Sequence, residues 1–217
     1  MQDTYQTIAA AAQGEFKDRG SKFLGYAFPV SEEADIEAAL QELRKQHNKA
    51  RHHCYAWRLG LDGQLYRAND DGEPGGTAGK PILGQLNSFE VTNVLVVVVR
   101  YFGGTLLGTG GLINAYREAA AQALRNADII HRVIEEVYEM TFDYSRMNEV
   151  MAAVTRLELE IIDRDFTDRG SMQFAVRQNE ATGLLRELKA LVAGVYLEEV
   201  DALEEIPAFS LRHLGQR

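Results

Sequence analysis

The chain has 217 residues, of which 46% are hydrophobic and 25% charged, with a formal net charge of −9. These are the proportions of an ordinary soluble globular protein, long enough for one large domain or two small ones. The longest apolar run, Val94–Val99, falls far below the roughly 20 residues that span a bilayer, so no membrane association is expected.

Charge is unevenly distributed. Residues 1–130 carry 13 Lys+Arg against 15 Asp+Glu, a net of −2, whereas residues 131–217 carry 10 against 17, a net of −7. An acidic surface repels phosphodiester backbones, so no sequence-specific DNA partner is expected, although a local basic patch remains compatible. The first residues lack a basic stretch followed by a long apolar one, so no secretory signal is expected. The single cysteine, Cys54, cannot form an internal disulfide and suits a reducing, cytoplasmic location.

In chain order, Ser21–Val30 reads as a strand. Ser31 then looks like the N-cap of a helix over residues 32–47, with acidic residues in its first turn and basic ones near its end. Ile36, Leu40 and Leu43 give that helix an apolar stripe. Ala50–Leu59 is the next expected strand, followed by a turn at Gly60–Gly63 and another short strand. "PILGQLNSF", residues 81–89, suits a helix with Pro81 in its first turn. "VTNVLVVVVRYF", residues 91–102, is a β-branched run typical of a strand covered on both faces. A glycine loop then opens into a helix from Gly110 to Asn126.

From Glu135 the rhythm changes to strand, helix capped by Ser145, hairpin turning near Asp168–Gly170, helix ending at Gly194, and a final strand over Val195–Leu203. That order is βαββαβ, the ferredoxin-like split βαβ plan. The expected division is therefore 1–132, 133–205 and a polar tail at 206–217.

Two glycine-rich segments are candidates for chemistry. "NDDGEPGGTAGKP", residues 69–81, has Gly79-Lys80 but places Pro74 and Pro81 where a Walker loop needs glycine and a hydroxyl. Walker-type ATP hydrolysis is not expected, and turn duty is the plain alternative. In "RYFGGTLLGTGGL", residues 100–112, a strand end, a glycine loop and a helix start follow one another. Unpaired helix-start amides suit an anion, and plain turn geometry is the alternative. The dinucleotide fingerprint is incomplete, with Ile113 where a third glycine belongs.

On a strand, His52, Cys54 and Ala56 share one face, and His53, Tyr55 and Trp57 the other. Same-face neighbours are about 7 Å apart, too far for a Cys–His nucleophile pair, so Cys54 reads as a small buried hydrophobe. Tyr55 and Trp57 read as packing residues. His53 could join Asp70, Asp71 or Glu73 as an acid/base cluster, but the spacing matches no zinc pattern, and such carboxylates also serve as solvated caps. The candidate anion- or ligand-binding residues are His53, Asp71, Glu73, Thr77, Lys80, Arg100, Gly103, Gly104, Gly108, Gly110 and Gly111. Both loops follow strands and precede helices, so they are expected to converge on one surface. No metal and no cofactor are expected.

"ARHHCYAW", "NDDGEPGGTAGKPIL", "VVVVRYFGGTLLGTGGLINAY" and the earlier "SKF" resemble the IMPACT/YigZ family over about Phe16 to Asn126, and the rest resembles the smaller C-terminal domain of bacterial members. The resemblance implies an α+β protein: an N-terminal two-layer α/β domain of the ribosomal-protein/RNase PH-like superfamily, then the ferredoxin-like domain. It also implies a translation- or stress-associated regulatory binding protein meeting ribosome, RNA or a translation-related protein. An enzyme acting on a phosphorylated or anionic small molecule is the alternative, and a purely protein-interaction module a third. Any RNA contacts are expected from the near-neutral first domain, through Arg51, Arg67, Lys80 and Arg100, rather than from the acidic second.

Overall fold

The computed structural model describes residues 3–217. Tyr5–Arg132 form one compact unit and a second is formed mainly by Val133–Arg217. The elements up to Val133 are β1 (Thr4–Ile8), β2 (Ala12–Asp18), β3 (Ser21–Pro29), α1 (Glu33–Gln46), β4 (His52–Leu59), β5 (Leu65–Asn69), α2 (Gly79–Ser88), β6 (Val94–Tyr101), α3 (Gly108–Arg125) and β7 (Ile129–Val133). The main sheet of the first unit has the order β2-β3-β6-β4-β5, and β1 pairs with β7 in a small ribbon. Neighbouring strands of the main sheet are antiparallel.

The central strand β6 explains the layering. Val94, Val96 and Val98 pack with Cys54 and Ala56 of β4 against Ile82 and Leu86 of α2 and Ala115, Tyr116 and Ala119 of α3. Leu95, Val97 and Val99 point the other way and pack with Tyr55 and Trp57 against Ile36, Leu40 and Leu43 of α1. The expected two-layer arrangement is thus corrected to helices on both faces of the sheet. A strand apolar on both sides would leave Leu95, Val97 and Val99 wet if only one face were covered.

α1 starts at Glu33, and Ser31 does not cap it in the expected way. Its hydroxyl donates to the Asp35 carboxylate instead, at 2.7 Å. The strands β1, β2 and β7 were not anticipated.

The second unit contains β8 (Glu135–Phe142), a 3₁₀ turn at Tyr144–Arg146, α4 (Met147–Arg156), β9 (Glu160–Phe166), β10 (Gly170–Arg177), α5 (Ala181–Ala193), a 3₁₀ turn at Val200–Ala202 and β11 (Phe209–Gln216). Its antiparallel sheet has the order β11-β8-β10-β9. Met140, Phe142, Met172 and Phe174 on one face pack against Val150 and Ala153 of α4 and Leu188 and Val192 of α5. α5 ends at Gly194, whose φ of 70° is the left-handed stop.

Two expectations fail in this unit. Ser145 lies inside the 3₁₀ turn that precedes α4 rather than capping the helix. Val195–Leu203 is turn and 3₁₀, with Tyr196 78% exposed, and the last strand lies in the supposed polar tail. "FSLRHLGQ" alternates Phe209, Leu211 and His213 with polar residues, and Phe209 pairs with Phe142 and Leu211 with Met140. That alternation suits a strand covered on one face, and it lies at the edge of the sheet. No helix is long and apolar enough to cross a membrane among the described residues.

Candidate functional site

The site is built where β4 begins and β6 ends. These strands are antiparallel with His52 opposite Arg100. β5 runs back along β4, with Asn69 opposite Tyr55, so the loop that follows β5 arrives at the same end. The loop after β6 leaves from there and opens α3.

The first glycine loop is organised around its own aspartate. The Asp70 carboxylate accepts the amides of Gly76 (2.8 Å), Ala78 (3.0 Å) and Gly79 (2.8 Å). These are the donors a phosphate would need at the start of α2, and they are already satisfied. Burial pushes the Asp70 carboxyl up, but the amides of Gly76, Gly79 and Ala78, with Lys80, outweigh it and hold the group below the usual range. Its stabilising contribution is therefore complete above about pH 4 and is lost as pH falls through the folded value. Asp70→Ala is expected to cost roughly 1–2 kcal/mol in urea denaturation at pH 7, with the gap from the parent closing in strong acid. An unchanged midpoint at pH 7 would refute the role.

The next two acids hold the strand ends. Asp71, at φ 42°, accepts the His53 amide on Oδ2 at 2.7 Å and Arg44 on Oδ1 at 3.3 Å. Its carbonyl accepts His52 Nδ1–H at 2.8 Å. In the neutral imidazole this bond places the proton on Nδ1 and leaves Nε2 as the acceptor. Glu73 is buried. Its Oε1 accepts Arg100 Nη1 at 2.6 Å and the Tyr116 hydroxyl at 2.7 Å. Cys54 Sγ donates to the Asp70 carbonyl at 3.0 Å. Burial pushes both the Cys54 thiol and the Tyr116 phenol far up, so neither ionises near neutrality.

In front of this buried network lies a cavity of about 610 Å³ lined by Lys49, Arg51, His52, Arg100, Tyr101, Phe102 and Leu106. Lys49 and Arg51 are exposed and have no ion pair among the described residues. Arg100 is only 7% exposed, and its Nε has no hydrogen-bond partner. The carboxylate of Glu73 offsets its charge, so Lys49 and Arg51 make this opening basic.

Of the residues singled out from sequence, Arg100 lines the cavity. Asp71 and Glu73 stand behind it and orient His52 and Arg100. His53 points to the α1 face, is 5% exposed, and has no partner for Nε2. Burial, only partly opposed by Asp71, pushes its pKa below the ordinary value. Thr77 donates to the Pro74 carbonyl, a turn role. Lys80 is exposed in the first turn of α2 and does not line the cavity. Gly103 is pressed against the β2–β3 turn, where a Cβ would come within 1.9 Å of Gly20. Gly104 and Gly108 take φ of 87° and 70°, while Gly110 and Gly111 lie in the first turn of α3. Sequence reasoning missed Lys49, His52 and Phe102 as site residues. Strand parity could have found His52, which shares its face with Cys54.

The fold and this opening define a two-unit mixed α/β protein with a basic, aromatic-edged cavity at one end of its first sheet. The Impact N-terminal domain family matches residues 19–124. An IMPACT family member from Haemophilus influenzae is 34% identical over 164 residues, 75% of this chain and 80% of the relative. The IMPACT family member YigZ from Escherichia coli is 41% identical over 136 residues, 60% of this chain and 67% of the relative. A crystal structure described as that of a hypothetical protein is 30% identical, with a TM-score of 0.69 over 99% of this chain and 98% of its own. The chain belongs to the IMPACT/YigZ family.

Proposed function

We propose that the protein is a translation- or stress-associated regulatory binding protein that meets ribosomal RNA with the basic end of its first unit. The observation that carries this is the cavity, which presents Lys49 and Arg51, both without an ion pair among the described residues, at one end of an otherwise near-neutral unit. Unpaired cations at a concave opening concentrate polyanions and release counterions on binding. The second unit suits a different role. It holds most of the negative charge, and the sheet face opposite its helices carries Glu139, Thr141, Ser171 and Gln173, not aromatics on which bases could stack. Its strand order supports the ferredoxin-like assignment. The buried single cysteine suits a cytoplasmic setting.

The test is cosedimentation with ribosomes across a salt series. Lys49→Ala with Arg51→Ala is expected to weaken binding and to reduce the log–log salt slope by roughly 1.4–1.8. Binding by the parent that the double variant leaves unchanged would move the contact elsewhere.

One observation favours an enzymatic alternative. His52 presents a free Nε2 beside these cations, an arrangement able to take a proton from a group attached to a bound phosphate. That function requires consumption of a phosphorylated small molecule that His52→Ala abolishes.

A further inference from the structure

We infer that the cavity takes one nucleotide of single-stranded RNA, with its base stacked on Phe102 and its phosphate on Lys49 and Arg51. This rests on the RNA-binding role proposed above and specifies the form of RNA recognised. Phe102 immediately follows β6 and is 58% exposed. A large aromatic residue left in solvent beside cations is the combination used by proteins that bind single strands.

Phe102 is also held in place. The Arg100 guanidinium carbon lies over its ring at 5.6 Å and over the buried Phe23 ring at 5.4 Å. Arg100 is itself fixed by its ion pair with Glu73. On the other side of Phe102, the Gly103 amide donates to Ser21 Oγ at 3.1 Å, and the Gly20 turn leaves no room for a side chain at 103. The guanidinium lies against the ring from one side, while 58% of the residue stays exposed for a base to cover. A platform ordered before binding loses little entropy when a base lands on it.

The cavity volume of about 610 Å³ falls within the roughly 300–1,000 Å³ of small-ligand pockets, room for one nucleotide rather than a duplex. Lys49 and Arg51 supply the phosphate contacts, and His52 Nε2 is available to a hydroxyl or an amino group. A base inside a duplex is already stacked and cannot reach Phe102, so the site discriminates strand from duplex.

The experiment is fluorescence anisotropy of the full chain with a labelled 12-nucleotide RNA, single-stranded or annealed to its complement, at fixed salt. The single strand is expected to bind more tightly. Phe102→Ala is expected to weaken it roughly 5- to 150-fold, the range for one lost base–aromatic stack, with the salt slope unchanged. Phe102→Trp is expected to retain binding. Lys49→Ala is expected to weaken both forms and to lower the single-strand slope by about 0.7. Phe102 is largely exposed, so Phe102→Ala removes only its contact with Arg100 and should unfold as cooperatively as the parent. Single-strand binding unaffected by Phe102→Ala, or duplex bound as tightly as the single strand, would overturn this inference alone. Failure of the parent to bind either RNA or ribosomes would overturn the RNA-binding role together with it.

Discussion

Glu73→Gln is expected to destabilise the first unit by roughly 3–5 kcal/mol, the cost of leaving one member of a buried ion pair unmatched. The side chains of Arg100 and Glu73 are 8% and 4% exposed and meet at 2.6 Å. The amide oxygen of glutamine can still accept from Arg100 and Tyr116, so the substitution isolates charge from hydrogen bonding. What remains is a guanidinium with little water around it and one nitrogen already lacking a partner. Joint replacement by Arg100→Met and Glu73→Leu removes both charges and is expected to recover part of the loss, since apolar isosteres of buried pairs are often neutral or better while the buried Tyr116 hydroxyl is left without its acceptor. The fluorescence of Trp57, the single tryptophan and buried in this unit, reports the urea midpoint. A Glu73→Gln midpoint equal to the parent's would mean that water reaches the pair. The double variant loses the guanidinium over Phe102, so it is expected to bind single-stranded RNA poorly even where its stability is restored.

Much of the fold was legible because burial imposes a period. The apolar run Val94–Val99 could only be a strand covered twice, and Ile36, Leu40 and Leu43 mark the helix face that covers one side. β2 was not legible: "AQGEFKD" alternates between half-buried and exposed positions without β-branched residues, and its place comes from pairing with β3. β11 carried a readable alternation in "FSLRHLGQ", which the preceding acidic segment obscured.

The site was harder to read, for a different reason. Strand parity correctly separated His52 from His53, but which face carried the opening depended on where two loops returned. Asp70 looked like one more turn carboxylate until its bonds to residues six to nine positions later showed that it fills the amide cradle itself. Arg100 was singled out at its strand end. Its partner Glu73 lies 27 residues away, and no local pattern announces that pairing.

Gly25→Ala is expected to cost about 3 kcal/mol, at the upper end for an overpacked core. Gly14 and Gly25 face each other across β2 and β3, and α3 lies directly on them. A Cβ at Gly25 would sit 2.3 Å from the Ala119 carbonyl oxygen, and one at Gly14 would sit 2.4 Å from the Ala123 amide nitrogen. Both obstacles are backbone, so no side-chain rotation relieves them, and α3 must shift as a body. That shift reaches the site, because Tyr116 on the same helix donates to Glu73. Gly84 provides the control. It lies inside α2, where an added methyl would meet nothing within 4 Å, and Gly84→Ala is expected to add roughly 0.5–1 kcal/mol by helix propensity. Urea midpoints of the two variants should therefore move in opposite directions from the parent. A Gly25→Ala protein as stable as the parent would show that α3 is not seated on the glycine pair as closely as these distances require.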